Sequence, residues 1–187
     1  MSKTFYISDP HFFHKNVIIY DKRPFENENE MNEEMIRRWN AQVSPKDTVY
    51  ILGDLSWTGP DKTEDILKRL NGNLILIMGN HDKFLKPSTK KYFKEIHPSY
   101  WEIKDGDNFL VLSHYPIIAF NNHMHGAIHL YGHVHNTTDD AKIVDRYKED
   151  YERTYGRKPR MYAVGAMMPY MDYTPRTLEE ILKANEE

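Results

Sequence analysis

Apolar residues fall along this chain in two rhythms. A short β-prone run at Lys3 to Ser8 ends at Asp9-Pro10, and unbroken apolar runs at Thr48 to Leu52 and Leu74 to Met78 are bounded by Gly53-Asp54 and Gly79-Asn80. Runs this short, with such boundaries, predict buried strands. Between them, Met31, Met35, Ile36 and Trp39 recur at helical spacing within Asn29 to Gln42. Ile66, Leu67 and Leu70 do the same within Asp61 to Leu70, after Gly59-Pro60. Both segments predict helices with one apolar face. Strand, helix, strand across 48–78 predicts a parallel pair joined by a crossover.

The second half changes character. Tyr100 to Ile103 and Asn108 to Leu112 flank Asp105-Gly106, a hairpin signal with a slightly longer connection. Ala127 to Tyr131 and Met161 to Val164 are further strand candidates. Asp139 to Tyr155 is charged and Tyr-rich, with Ile143, Tyr147 and Tyr151 four apart, which suits a surface helix or helical insertion. Thr177-Leu178-Glu179-Glu180 reads as a capping box opening a last helix. No repeat or linker interrupts residues 1–187, so one domain is expected.

Composition narrows the chemistry. A formal charge of −3 with 28% charged residues gives no basic excess of the kind a general nucleic-acid binder needs. No apolar run nears the ~18 residues that cross a bilayer, and no basic leader opens the chain, so a soluble protein of the cytoplasm is expected. Without cysteine there is no thiolate site, which leaves His, Asp, Glu and Asn as metal donors.

Ten histidines are many for this length, and they cluster with Gly, Asp and Asn. Five segments stand out: Asp9-Pro10-His11, Gly53-Asp54, Gly79-Asn80-His81-Asp82, His114 and Gly132-His133-Val134-His135. Four directly follow predicted strands, whose ends gather on one rim of an α/β sheet. Glycine before a ligand permits the tight backbone that turns the next side chain into such a site. A single histidine here would ordinarily be structural or solvated; five ordered blocks together point to a metal site.

These blocks resemble the calcineurin-like metallophosphoesterase pattern, D-x-H, G-D, G-N-H-[DE], a later H and G-H-x-H. The resemblance implies an α/β four-layer sandwich of two mixed sheets flanked by helices, with two metal ions at the strand ends. It implies that Asp9, His11 and His135 hold one ion, that Asn80, His114 and His133 hold the other, and that Asp54 bridges them. Donors of this kind suit Mn, Fe, Ni or Zn, with Mn favoured. Two divalent ions held by two carboxylates keep a net positive charge that can bind phosphate and activate water. His81, beside the metals but not a ligand, is assigned as general acid, with Asp82 as the group that orients its ring.

Arg23, in an irregular loop after the first motif, is a candidate clamp on phosphate oxygens, set against a plain surface cation. Trp57 and Tyr115 adjoin catalytic motifs and are candidates to stack a base, although packing is the more ordinary role. His14 and Asn16 are weaker candidates, and His97-Pro98 reads as a turn. His123, His125 and His129 match no ligand position. Gly-Asp-Leu-Ser-Trp at 53–57 lacks the arginine of the large protein phosphatases, so a phosphoprotein substrate does not carry over. Both ends of the chain resemble compact bacterial and phage phosphoesterases of unassigned substrate. The expected reaction is hydrolysis of a small phosphorylated, nucleotide-like mono- or diester, with Arg23 tilting toward a monoester. The alternatives are a nuclease and a silent metal-binding scaffold. The sequence leaves oligomeric state open.

Overall fold

The computed structural model describes residues 2–185. The first sheet is built from β1 (Thr4–Ile7), β2 (Thr48–Ile51), β3 (Asn73–Ile77) and β4 (Phe93–His97), in that spatial order and all parallel. The second holds β5 (Tyr100–Asp105), β6 (Asn108–Ser113), β7 (Ile128–Tyr131) and β8 (Met161–Ala163), also in chain order. There β5 and β6 are antiparallel and the other pairs parallel. An antiparallel bridge between Tyr6 and Arg176 flanks β1 in the first sheet. The two sheets flanked by helices are as expected.

Helices α1 (Lys15–Tyr20), α2 (Glu28–Gln42), α3 (Pro60–Leu67) and α4 (Pro87–Lys90) accompany the first sheet in sequence. α5 (Asp139–Tyr155) and α6 (Leu178–Ala184) follow in the second half. α2 buries Met31, Met35, Ile36 and Trp39, the stripe its periodicity marks out, and Asn27 caps it by accepting from Asn29 and Glu30 N–H. The box at Thr177 and Glu180 caps α6 as expected. No helix among the described residues is long and apolar enough to cross a membrane.

The period of two along the second sheet divides its side chains between two cores. Leu110, Leu112, Ile128, Leu130 and Tyr162 join the main core shared with the first sheet. Val111, Ala127, Tyr131, Met161 and Ala163 form a smaller one, covered by Ala141, Val144 and Tyr147 of α5. α5 is thus a packed layer: its polar face is exposed, and of its large apolar side chains Ile143 and Tyr155 are left to solvent. The Tyr6 hydroxyl donates to Asp105 of β5 at 2.9 Å, tying the first strand of one sheet to the other sheet.

Some elements differ from their expectation. The β5–β6 connection is tight, because Asp105 pairs directly with Asn108 and only Gly106 and Asp107 turn the chain. Gly106 takes φ +59°, the conformation such a turn asks of glycine. His97 is the last residue of β4 rather than part of a turn. α1, α4 and β4 have no expected counterpart. At four to six residues each, they are too short to show a period.

Candidate metal centre

Parallel strands within each sheet carry their carboxyl ends to one rim, and the two rims meet. The seam is β1 against the segment after β8. There Ser8 N–H donates to Val164 O at 2.7 Å, and Ala166 N–H to Ser8 O at 2.7 Å. Backbone bonds from Asp9 N to Gly53 O and from His11 N to Asp54 O, each 3.1 Å, lace the β1 loop to the β2 loop. Gly132 N–H donates to His114 O at 2.9 Å and does the same for the β6 and β7 loops.

These loops are strained where they carry side chains of interest. Nine non-glycine residues among those described have positive φ, and four of them are Asp9, His11, Asp54 and His133, between 53° and 65°. Each such conformation costs on the order of 1 kcal/mol or more and persists only where its surroundings enforce it. Two glycines make the close approach feasible. A Cβ on Gly79 would lie 2.2 Å from Asp54 Oδ1, and one on Gly132 would lie 1.8 Å from Ser8 Oγ.

Two groups of donors result: Asp9, His11 and His135, and Asp54, His114 and His133. In the first, Asp9 Oδ1 stands 3.6 Å from both His11 Nε2 and His135 Nε2. It is buried without a hydrogen-bond partner among the described residues, while Asp9 Oδ2 accepts from His133 N–H at 2.9 Å. A buried carboxylate oxygen with no donor of its own, facing two imidazole nitrogens, asks for a cation. In the second group, Asn80 Oδ1 lies 3.0 Å from His114 Nε2.

The tautomers agree with this. His114 Nδ1 donates to Leu52 O at 2.8 Å, and His135 Nδ1 donates to Asp21 Oδ1 at 2.6 Å. In both rings Nε2 is left with its lone pair toward the site. Electrostatics point the same way. Burial works to raise the Asp9 carboxyl, but His11, His135 and His114 overcome it and hold it well below the usual range. Burial works to lower His135, and Asp21 and Asp9 overcome it, raising the ring to about 9. A pocket that draws a proton this strongly onto an imidazole draws a divalent cation too.

The deciding relationship is that of Asp54 to both groups. Its Oδ2 is 3.5 Å from His114 Nε2 on one side and 3.9 Å from His11 Nε2 on the other. One carboxylate stands between two donor clusters, as a two-ion site requires. The calcineurin-like phosphoesterase family model matches residues 2–161. The chain belongs to that family. It is similar to the uncharacterized protein MJ1445 of Methanocaldococcus jannaschii, 33% identical over 186 residues that cover 98% of this chain and 91% of that one. A solved relative is AQ665 of Aquifex aeolicus, a protein of unknown function, at 29% identity and a TM-score of 0.73, covering 98% of this chain and all of that one. Two divalent ions, typical of calcineurin-like phosphoesterases, have a candidate donor group each: Asp9, His11 and His135, and Asp54, His114 and His133.

Two expected roles are corrected within this calcineurin-like site. Arg23 is neither a phosphate clamp nor a surface cation. Its guanidinium is fully buried, paired with Asp21 Oδ2 at 2.9 Å and donating to Pro10 O at 2.8 Å and Asp9 O at 3.1 Å. The backbone it grips is the strained loop that carries Asp9 and His11, and its N–H groups are engaged within the protein. Asp82 does not hold the His81 ring. It accepts from Gly79, Asp54 and Leu55 N–H at 2.7, 3.0 and 3.0 Å, so it ties the β2 and β3 loops together.

His81 itself lies at the mouth. Its N–H donates to Asp54 Oδ1 at 2.8 Å, and its Nε2 is 3.9 Å from Asp54 Oδ2. Burial pushes the ring's pKa down, against the pull of Asp54. The neighbour that holds it is Trp57, whose ring is 4.1 Å from His81 and 4.0 Å from His14. His14 is buried and caps α1 by accepting from Val17 N–H at 2.8 Å. Tyr115 flanks the other side, 4.4 Å from the His133 ring, with its hydroxyl donating to Asn80 Oδ1 at 3.2 Å. Sequence reasoning missed Asp21. The only signal for it was an acid two residues before Arg23.

His129 is a core residue. Nε2 accepts from Ile117 N–H and Nδ1 donates to Val111 O, each at 3.0 Å, and burial pushes the ring down to about 4.

Proposed function

We propose that this protein hydrolyses a phosphomonoester or phosphodiester of a small, nucleotide-like molecule, with two manganese ions in the cytoplasm. The observation that carries this reading is Asp54 Oδ2 standing between the two donor groups, with His81 Nε2 3.9 Å from the same oxygen. When bound, two such ions supply the Lewis acidity and the nucleophile for in-line displacement at phosphorus. His81, beside the bridge yet free of the ligand set, donates the proton that the departing oxygen needs. Its ring, packed on Trp57, is held rather than free to swing.

Substrate class follows from the mouth. Trp57 and Tyr115 are nearly half exposed, at 45% and 48%, on the loops that follow Asp54 and His114. Large aromatic rings left open beside a metal centre offer faces for a planar group such as a nucleobase. The inward turn of Arg23 removes the argument for a monoester, so both ester classes belong in the test.

The test uses manganese-loaded protein on p-nitrophenyl phosphate and bis-p-nitrophenyl phosphate. Turnover of at least one is expected, and no turnover of either, with both ions confirmed by elemental analysis, overturns the proposal. His81→Ala should keep both ions and lose turnover most on esters with poor leaving groups. Equal losses on activated and unactivated esters would remove His81 as the acid.

A further inference from the structure

We propose that His14, at the start of α1, is a positioning residue that acts through Trp57 to fix the His81 ring at the mouth of the metal centre. The inference rests on His81 being the acid of the proposed hydrolysis.

A general acid works only where its ring is aimed at the departing oxygen. The customary device is a carboxylate hydrogen-bonded to the ring's other nitrogen. His81 has none: among the described residues its backbone N–H is bonded to Asp54, but its ring makes no hydrogen bond, and its ion-pair contact with Asp54 Oδ2 is 3.9 Å long. Asp82, the adjacent carboxylate, accepts from three backbone N–H groups instead. With 34% of its side chain exposed, the His81 ring would be free to change rotamer unless packing held it.

Packing does hold it. The Trp57 ring is centred 4.1 Å from His81 at an interplanar angle of 46°, and 4.0 Å from His14 at 62°. The backbone beneath the indole is fixed, because Trp57 N–H donates to Phe12 O at 2.8 Å and Phe12 N–H to Leu55 O at 3.0 Å. Those bonds leave the side-chain torsions of Trp57 undetermined, and nearly half the residue is exposed. The ring therefore needs a support within the protein.

His14 supplies it. The residue is buried, its Nδ1 accepts from Val17 N–H at 2.8 Å, and its own N–H donates to His11 O at 3.1 Å. Its ring is thus anchored both to α1 and to the metal loop, and it meets the indole edge to face, a directional contact as well as an apolar one. Support runs from the cap of α1 through the indole to the acid.

Two substitutions separate the ring of His14 from its capping role. His14→Asn keeps an oxygen that can accept from Val17 N–H and removes the ring, whereas His14→Phe keeps a ring and removes the cap. These variants and Trp57→Leu are compared in two measurements on the full chain. With diamagnetic zinc bound, NMR of the carbon-bound His81 ring protons reads the ring current of Trp57. That shift should vanish in Trp57→Leu, shrink in His14→Asn and stay near wild type in His14→Phe. With manganese bound, kcat on phenyl relative to p-nitrophenyl esters, as phosphate monoesters and as diesters, should fall about tenfold in His14→Asn and about twofold or less in His14→Phe. KM should change less than kcat.

A His81 spectrum identical in wild type, Trp57→Leu and His14→Asn overturns the proposal. A greater kinetic loss in His14→Phe than in His14→Asn also overturns it, since the cap would then be the cause, and so does a loss in His14→Asn that is equal for both leaving groups. The spectrum needs no turnover, so it judges the seating of His81 even if no ester is hydrolysed, a result that overturns the hydrolase reading instead.

Discussion

His135 and Asp21 meet at 2.6 Å, Nδ1 to Oδ1, and Asp21 is held from behind by Arg23 at 2.9 Å. The carboxylate fixes which nitrogen of His135 faces Asp9 and makes that nitrogen a stronger donor. Asp21→Ala should weaken affinity for the ion held by Asp9, His11 and His135 by about 10- to 100-fold, and Asp21→Asn by less. Chelator competition monitored for each ion measures this. Equal affinities in all three proteins would deny Asp21 the role.

Arg23 predicts a different phenotype. Its guanidinium has no exposed surface, so Arg23→Ala strands a buried Asp21 carboxylate and two loop carbonyls. A loss of about 3–5 kcal/mol is expected. Urea unfolding of the metal-loaded proteins gives the value. A raised KM with unchanged stability would return Arg23 to the substrate.

Gly132 tests the packing of the metal loops. A methyl there would lie 1.8 Å from Ser8 Oγ and 2.6 Å from Asp9 Oδ2. Gly132→Ala should therefore displace Asp9 and empty its ion, read as lost metal in elemental analysis. The control is Gly106→Ala, where nothing lies within 4 Å and the left-handed backbone alone costs about 1 kcal/mol. Full metal content in Gly132→Ala would count against the geometry of the seam.

His129 makes stability depend on pH. In the folded chain its pKa is lowered from 6.5 to about 4, so below 6.5 the unfolded chain takes up a proton that the native state refuses. Its contribution is complete above 6.5 and is lost as pH falls toward 4. Between about pH 7.5 and about pH 5 this amounts to about 2 kcal/mol. His129→Gln, which can keep a donor and an acceptor, should flatten that part of the curve measured by urea unfolding. An identical pH slope in both proteins would show that His129 does not carry it.

Much of this was legible before any coordinates, for a physical reason. Strand ends in a parallel sheet bring ordered loop residues to one rim, so the segments of Asp9, Asp54, Asn80 and His133 could be expected to converge there, while their grouping came from the family resemblance. The helices of 28–42 and 139–155 showed themselves through repeating apolar positions. What could not be read was the aim of long or interior side chains. Whether Arg23 faces substrate or the Pro10 and Asp9 carbonyls depends on acceptors thirteen and fourteen residues away. Asp82, adjacent to His81 in sequence, spends its oxygens on the backbone of residues 27 and 28 positions earlier. Trp57, a candidate to stack a base with packing as its more ordinary role, is the wedge between the His14 and His81 rings.

The seam has a mechanical consequence. Every strand of the first sheet lies before residue 98 and every strand of the second after residue 99, yet each donor group draws on both halves of the chain. Ions bound at both groups would therefore act as rivets between two separately built plates, and loading them would report on the assembly of the whole fold. A chain whose sheets had docked out of register could not hold metal, so only correctly assembled molecules would be armed. At a hundredfold excess over its dissociation constant, each ion would also add about 2.7 kcal/mol against the plates coming apart.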